Sequence, residues 1–183
     1  MHGPILKGKK VTLQPPKLSE AKNYVAWLHD NEVTRYISSF TDVNVEGEKA
    51  FLKNMKSDPA KIFWSIHTKS GKHIGSTDLH NISEKHKRNS WGIMIGDKAE
   101  WSKGYGADVL QTIVKYVFTQ LKHNRFELEV FHPNIAGIKC YKKCGFITEG
   151  VKKKYFIKNG EIYDSIMMAL TDEDYKKMKV QKK

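Results

Sequence analysis

The chain has 183 residues, 39% of them hydrophobic, which suffices for one globular domain with a full core. Its 32 lysines and arginines outnumber its 20 aspartates and glutamates, and the resulting net charge of +12 predicts an acidic partner or cofactor. Nearly all of this charge is lysine, since the arginines are Arg35, Arg88 and Arg125. Because bidentate base contacts rely on arginine, the composition argues against a protein that reads DNA sequence. A lysine-rich solvated surface is the alternative interpretation of the charge.

Two cysteines, Cys140 and Cys144, lie four residues apart in a segment with a helical pattern. A structural zinc site needs four soft ligands, so we expect reduced thiols and no metal. No apolar stretch approaches the roughly 20 residues that a membrane helix needs, and no signal peptide is evident at the N-terminus. The sequence therefore predicts a cytoplasmic protein without a membrane span.

The N-terminal third is predicted to contain a strand at residues 11–13 and three helical segments. Pro15 and Pro16 end the strand, Ser19 can cap the first helix, and Pro59 ends the third, which covers about residues 46–57. In the first two segments apolar residues recur at three- and four-residue spacing: Ala21, Tyr24, Val25 and Leu28, then Val33, Tyr36, Ile37 and Phe40.

Strands are predicted next at residues 62–67, 73–82 and 90–95, with a polar linker at 83–89. The loop 101–107 then opens a helix, with Asp108 in its first turn and one apolar face: Val109, Leu110, Ile113, Val114, Val117 and Leu121. A Gly-x-Gly loop before a helix N-terminus offers backbone N–H groups to an anion. An ordinary turn is the alternative interpretation of the same residues.

The C-terminal third is predicted to contain a strand, a short helix and a hairpin. Residues 125–131 alternate strictly, so Glu127 and Glu129 face away from Phe126 and Leu128. Asn134 can cap a helix that runs through Tyr141 and stops at Gly145. Asn159-Gly160 is a preferred type I′ turn, and it predicts a hairpin over residues 154–170.

This order of elements predicts an α+β fold with a central mixed, mostly antiparallel sheet flanked by helices. We see no internal repeat and no linker rich in Pro or Ser, so residues 1–183 are expected to form one domain. Its core is expected at about residues 11–170, followed by a short basic C-terminal tail.

Three segments resemble the signature of the GNAT N-acetyltransferase family: Gly92-Ile93-Met94-Ile95, Trp101-Ser102-Lys103-Gly104-Tyr105-Gly106-Ala107, and Asn134-x-Ala136 with Tyr141-Lys142-Lys143-Cys144-Gly145-Phe146. The loop is similar to that family's Gln/Arg-x-x-Gly-x-Gly/Ala motif, with Trp101 at the Gln/Arg position. Residues 154–164 look like the branch that contains ribosomal-protein N-acetyltransferases and spermidine acetyltransferases. The resemblance implies a splayed sheet and acetyl-CoA as the acetyl donor.

By this resemblance, the N–H groups of the loop hold the pyrophosphate of CoA, the strand before it pairs with the pantetheine, and Asn134 hydrogen-bonds the pantetheine arm. The implied cofactor-binding residues are Ile93, Met94, Ile95, Trp101, Ser102, Lys103, Gly104, Tyr105, Gly106, Ala107 and Asn134. Tyr141, in the family's Tyr position, is the expected general acid for the CoA thiolate. Ser90 stands where that strand often carries an acid, so the general base is less clear. Glu129 is the first candidate, with Asp78, Glu84 or a water chain as competitors.

The acceptor amine stays open among a protein N-terminus, a polyamine, an amino sugar and an antibiotic. A polyamine would need an acidic patch, for which the candidates are Asp30, Glu32, Asp42, Glu46 and Glu48. The alternative function is a basic RNA- or ribosome-binding module that kept the fold without catalysis. The family contains monomers and homodimers, and the sequence does not choose between them.

Overall fold

Eight strands form one sheet in the computed structural model, which describes residues 2–37 and 44–180. The order across the sheet is β1-β2-β3-β4-β5-β6-β8-β7. In chain order the strands are β1 Leu6–Lys7, β2 Val11–Gln14, β3 Ile62–Thr68, β4 His73–Ser83, β5 Arg88–Ile95, β6 Arg125–Phe131, β7 Ile147–Lys158 and β8 Glu161–Thr171. Neighbouring strands are antiparallel except for β5 and β6, which are parallel. The predicted α+β class and mostly antiparallel sheet are confirmed.

The parallel contact between β5 and β6 covers three residue pairs, of which the last joins Ser90 to Glu127. Beyond that pair β5 continues beside β4, while β6 continues beside β8. The two central strands therefore separate and leave a gap, which we call the fork; its sides are residues 91–95 of β5 and residues 128–131 of β6. The expected splay of the sheet is confirmed.

Within the described residues, five α-helices flank this sheet: α1 Ala21–Leu28, α2 Val45–Asn54, α3 Tyr105–Tyr116, α4 Ile135–Lys143 and α5 Asp172–Val180. Alternation along the strands sorts the side chains onto two faces. One face packs on α3 and α4, and its buried core includes Trp64, Leu79, Trp91, Phe126, Leu128, Val109, Leu110, Ile113 and Cys144. The opposite face packs on α1 and α2 through a smaller cluster with Ala21, Tyr24 and Leu52, beside Phe63 and Met94.

Helix α1 is fixed to the sheet by a buried carboxylate. Glu20 accepts hydrogen bonds from the Lys17 N–H (2.9 Å) and the Ser65 hydroxyl (2.6 Å), and its other oxygen lies 2.8 Å from His67 Nε2. Burial alone would raise the pKa of Glu20, but these partners outweigh it and lower the pKa to about 2. Glu20, rather than Ser19, thus organises the start of α1, and the predicted Ser19 cap is wrong.

Other differences from the prediction lie in the flanking elements. Residues 31–36 form turns instead of the second helix, while Phe40 and Asp42 fall outside the described residues. The expected basic tail begins as α5, whose Tyr175 stacks on Phe118 at a ring-centroid distance of 5.0 Å. The two-residue strand β1 was not predicted, because so short a segment carries no periodic signal.

Candidate active site

The loop between β5 and α3 has the geometry of an anion-binding turn. Gly104 adopts a left-handed conformation with φ of 81°, and the first helical hydrogen bond runs from the Asp108 N–H to the Gly104 carbonyl (3.2 Å). The N–H groups of residues 104–107 precede that bond, so they have no acceptor within the helix. Ser102, with φ of 62°, completes the reversal. These four donors at the positive end of α3 suit a phosphate group.

Space for a ligand lies directly over these donors. A side chain at Gly106 would meet no atom within 4 Å, and a Cβ at Gly104 would meet only the Lys10 ammonium, at 3.4 Å. Both glycines therefore leave the loop backbone open to close approach by a ligand. The residues present fit the pyrophosphate that the sequence predicts here.

Trp101, one of the predicted cofactor-binding residues, makes a hydrogen bond that holds the loop in place. Its indole N–H donates to the carbonyl of Ile95 at 2.7 Å, which fixes the loop to the end of β5. This bond explains how tryptophan serves at a position where the family usually has Gln or Arg. Tyr105 packs against the large core, and Ala107 lies in the first turn of α3.

Asp108 is a buried carboxylate that fixes the loop to the N-terminal edge of the sheet. It accepts hydrogen bonds from the backbone N–H groups of Lys9 (3.0 Å), Lys10 (2.7 Å) and Val11 (3.0 Å). The turn between β1 and β2 is thereby held beside the loop, and the Lys10 ammonium donates to the Lys103 carbonyl at 2.8 Å. The sequence predicted only a favourable position in the helix dipole for Asp108, and Lys10 was missed.

Lysines near the loop differ in their partners. Lys72 and Lys103 both pair with Glu100, and Lys98 pairs with Asp30 and Glu32. Lys10, in contrast, contacts a neutral carbonyl. Its charge is therefore not offset by the carboxylates that neutralise its neighbours, and it can pair with a bound phosphate.

The fork leads away from this loop. Ile93, Met94 and Ile95 pair with β4 on one side, and on the other side they face the gap rather than β6. Free backbone groups along a strand can pair with an extended ligand as an added strand would. Asn134 caps α4 by accepting the Gly137 N–H at 2.9 Å, which leaves its amide nitrogen to donate to a ligand.

Tyr141 lies on α4, on the face of the sheet that carries the large core. Its ring packs edge-on against Trp91, with centroids 5.7 Å apart and an angle of 84°. Trp91 is the first residue of β5 beyond the last β5–β6 pair, so the phenol lies at the narrow end of the fork. Burial raises the pKa of Tyr141, and the nearby thiols Cys140 and Cys144 add to this effect. The phenol therefore keeps its proton at neutral pH.

Glu129 lies across the fork on the opposite face. Its carboxylate forms an ion pair with Lys152 of β7 and accepts a hydrogen bond from Ser165 at 3.0 Å. A surface carboxylate in a salt bridge has the same contacts as a catalytic base would have here. The role of Glu129 as general base stays a prediction. Glu84 is further from the fork, in the β4–β5 turn, where it contacts Lys87 and His123.

A hydrogen-bonded Asp–His pair stands on the same face as Glu129. Asp78 Oδ2 and His80 Nδ1 on β4 are 2.7 Å apart. The sequence analysis gave Asp78 as one of the candidates for the general base, whereas it missed His80. Its signal was the i, i+2 spacing with Asp78, which places both side chains on one face of a strand.

The profile described as "Acetyltransferase (GNAT) domain" matches residues 10–147 of this chain. The chain belongs to the GNAT acetyltransferase family. A relative over nearly the whole length is "Uncharacterized N-acetyltransferase YoaA" from Bacillus subtilis, 28% identical over 171 residues that cover 91% of this chain and 96% of YoaA. As GNAT acetyltransferases use acetyl-CoA, the protein is an acetyl-CoA-dependent N-acetyltransferase.

Two comparisons concern one kind of enzyme. The spermidine N(1)-acetyltransferase of Vibrio cholerae is 28% identical over 102 residues, which cover 56% of this chain and 58% of the relative. The solved structure of spermidine N-acetyltransferase from Vibrio cholerae in complex with CoA and spermine superimposes with a TM-score of 0.84 at 20% identity, over 91% of this chain and 98% of that one. At this identity the superposition shows the shared fold. No helix in residues 2–37 and 44–180 is long and apolar enough to span a membrane.

Proposed function

We propose that this N-acetyltransferase transfers the acetyl group of acetyl-CoA to a primary α-amine by direct attack, with Tyr141 as the general acid. The observation that carries the proposal is the fork, which has an anion-binding loop at its open end and a protonated phenol at its narrow end. A CoA thioester needs an anion site for its phosphates and a proton donor near its sulfur, and the loop and the phenol would supply these two groups.

The cofactor-holding residues follow from the contacts already described. The N–H groups of residues 104–107 and the Lys10 ammonium would bind the pyrophosphate, and Ile93 to Ile95 would pair with the pantetheine. Asn134 would donate its amide to the pantetheine arm. Acetyl-CoA supplies an activated acyl group whose carbonyl carbon accepts a neutral amine.

The two proton-transfer roles fall on opposite faces of the sheet. Tyr141 belongs to the α4 face, whereas the carboxylates on β4 and β6 belong to the other face. An amine that enters beside those carboxylates would reach the thioester through the fork, and Tyr141 would protonate the thiolate on the far side. Proton transfer by one positioned side chain accounts for roughly 10²–10⁴ in rate.

The energetics of the acceptor favour an α-amine. A lysine-like amine with pKa about 10.4 costs roughly 4.6 kcal/mol to deprotonate at pH 7, whereas an α-amine with pKa about 7.7 costs roughly 1 kcal/mol. The acidic residues that could recognise a polyamine also have other partners. Asp30 and Glu32 pair with Lys98, Glu46 pairs with Lys49, and Glu48 is buried with a raised pKa.

Calorimetric titration with acetyl-CoA, followed by thiol-release assays across an amine panel, tests this function. We expect binding in the roughly micromolar to millimolar range and release stimulated by amino acids or short peptides with a free α-amine. No binding at millimolar acetyl-CoA, together with binding to RNA, would establish the non-catalytic alternative. Release with spermidine but not with α-amines would overturn the acceptor class and place the chain in the spermidine branch. We also propose a cytoplasmic location, with which the absence of a disulfide between Cys140 and Cys144 agrees.

Lys10→Gln should weaken acetyl-CoA binding without affecting folding. The variant removes a charge that we place beside the pyrophosphate, and a partly exposed ion pair contributes roughly 1 kcal/mol, or about fivefold in Kd. Lys9→Gln is the matched control, because it changes the net charge equally and leaves its backbone bond to Asp108 intact. Equal weakening by both variants in calorimetry would show a diffuse charge effect and contradict the assignment.

A further inference from the structure

The Asp78–His80 pair has the arrangement of a carboxylate that orients an imidazole. Asp78 Oδ2 lies 2.7 Å from His80 Nδ1, and the two side chains are 26% and 34% exposed. If Nδ1 carries the proton, it donates to Asp78 and leaves the lone pair of Nε2 available. In the described part of the chain, no hydrogen bond to Nε2 of His80 is found. The pair is thus partly sheltered, oriented and open on one side.

Gly92 lets this pair lie over the strand that borders the fork. Asp78 is directly opposite Gly92 in the β4–β5 register. A Cβ at position 92 would lie 2.6 Å from Asp78 Oδ1, so any larger residue would displace the carboxylate. The family-like Gly92 therefore has a packing reason in this chain, namely the close approach of Asp78.

Register places the pair next to the narrow end of the fork. His80 is opposite Ser90, and Ser90 is the last β5 residue paired with β6. Only β5 therefore separates His80 from the fork, and neighbouring strands lie about 4.8 Å apart. It lies on the face opposite to Tyr141, which is the side from which the amine would enter.

The other candidate bases are engaged elsewhere. Glu129 pairs with Lys152, and Glu84 with Lys87 and His123. Nearer to His80, Glu127 is paired with Arg88 and Arg125. The oxygens of these carboxylates already accept bonds from cations, whereas Nε2 of His80 has no hydrogen-bond partner in the described part of the chain.

We propose that His80 is the general base for the acceptor amine and that Asp78 is its positioning residue; this assignment rests on the proposed function. As the amine nitrogen forms its bond to the acetyl carbon, its proton passes to His80 Nε2, directly or through one water. The carbon–sulfur bond breaks, and Tyr141 protonates the CoA thiolate. The imidazolium then releases its proton to solvent, and the Tyr141 phenolate takes up a proton from solvent, so both side chains return to their starting states. In the described part of the chain, the charged groups near His80 are Asp78 on its own strand, the Glu127–Arg88 pair beside Ser90, and Lys61, which directly precedes β3 and its Ile62–Leu79 pair.

His80→Gln should lower kcat/KM by about 100-fold, the lower end of the effect of general acid–base catalysis. It should also remove the acidic limb of the pH–rate profile, and the Kd of acetyl-CoA should stay within about twofold. Asp78→Asn should keep part of the rate but change the position of that limb. Added imidazole should restore turnover to His80→Ala, which a purely structural role would not allow. His86→Gln, in the exposed β4–β5 turn, is the matched control and should behave as the wild type.

Three results separate the possibilities. Wild-type protein that releases no thiol with any amine would defeat the proposed function itself. An active wild type with an unchanged acidic limb in His80→Gln would overturn only the assignment of His80. If Glu129→Gln lost that limb while His80→Gln kept it, the base would be Glu129 and the inference would be wrong.

Discussion

Gly104→Val is expected to raise the Kd of acetyl-CoA at least 100-fold. The added side chain would occupy the space above the N–H groups of residues 104–107, where the phosphates need to approach. Loss of two charge-assisted hydrogen bonds, each roughly 1.5–3 kcal/mol, corresponds to about 100-fold or more in affinity. Calorimetric titration of the purified variant measures this effect, because it does not depend on turnover or on the acceptor.

The backbone strain of this substitution has its own control. Gly104 has φ of 81° and Gly160, in the β7–β8 turn, has φ of 78°; a Cβ at Gly160 would meet nothing within 4 Å. Both valine variants should therefore lose a similar roughly 1–2 kcal/mol of stability from the left-handed conformation. Only Gly104→Val should lose acetyl-CoA affinity. Retained affinity in a folded Gly104→Val protein would refute the loop as the phosphate site.

Tyr141→Phe is expected to lower kcat by roughly 10²–10⁴ while the Kd of acetyl-CoA changes little. The substitution removes the hydroxyl and keeps the ring that packs on Trp91. Since no described residue hydrogen-bonds to that hydroxyl, its loss should leave the free energy of unfolding nearly unchanged. Steady-state thiol release, together with calorimetry, separates the two parameters.

Tyr116→Phe is a closely matched control. Tyr116 packs on Trp64 with the same centroid distance of 5.7 Å and the same angle of 84°, and burial raises its pKa as well. It lies on α3, outside the fork, so its phenylalanine variant should keep the wild-type kcat. An unchanged kcat in Tyr141→Phe would remove Tyr141 from the mechanism, and another proton donor would have to be found.

Local patterns predicted the elements that surround the site. Alternation in residues 125–131 and the apolar face of Val109 to Leu121 correspond to β6 and to α3 with the π-helical turn that follows it. The Asn159-Gly160 turn joins β7 and β8, although both strands are longer than predicted. These patterns succeed because each reflects neighbours along the chain, three or four residues apart in a helix and two apart in a strand.

Contacts between distant segments could not be predicted in this way. The partners of Glu129 are Lys152 and Ser165, which lie 23 and 36 residues away. His80 and Asp78 are close in sequence, but their importance depends on Gly92 and on the point where β5 leaves β6. Sequence spacing contains no information on where two parallel strands separate, and so the candidate acid was found from a motif while the proposed base required the fold.

Asp108 links the proposed phosphate loop to the outer edge of the sheet. Its three N–H donors lie 97, 98 and 99 residues away in the chain, next to a first strand of only two residues. So short an edge strand would fray if it depended on its own ladder. Thermodynamic reciprocity then requires that a phosphate which orders the loop also tightens this edge, and that fraying of the edge weakens the phosphate site by the same free energy. Residues 6–11 would in this sense contribute to the proposed phosphate site.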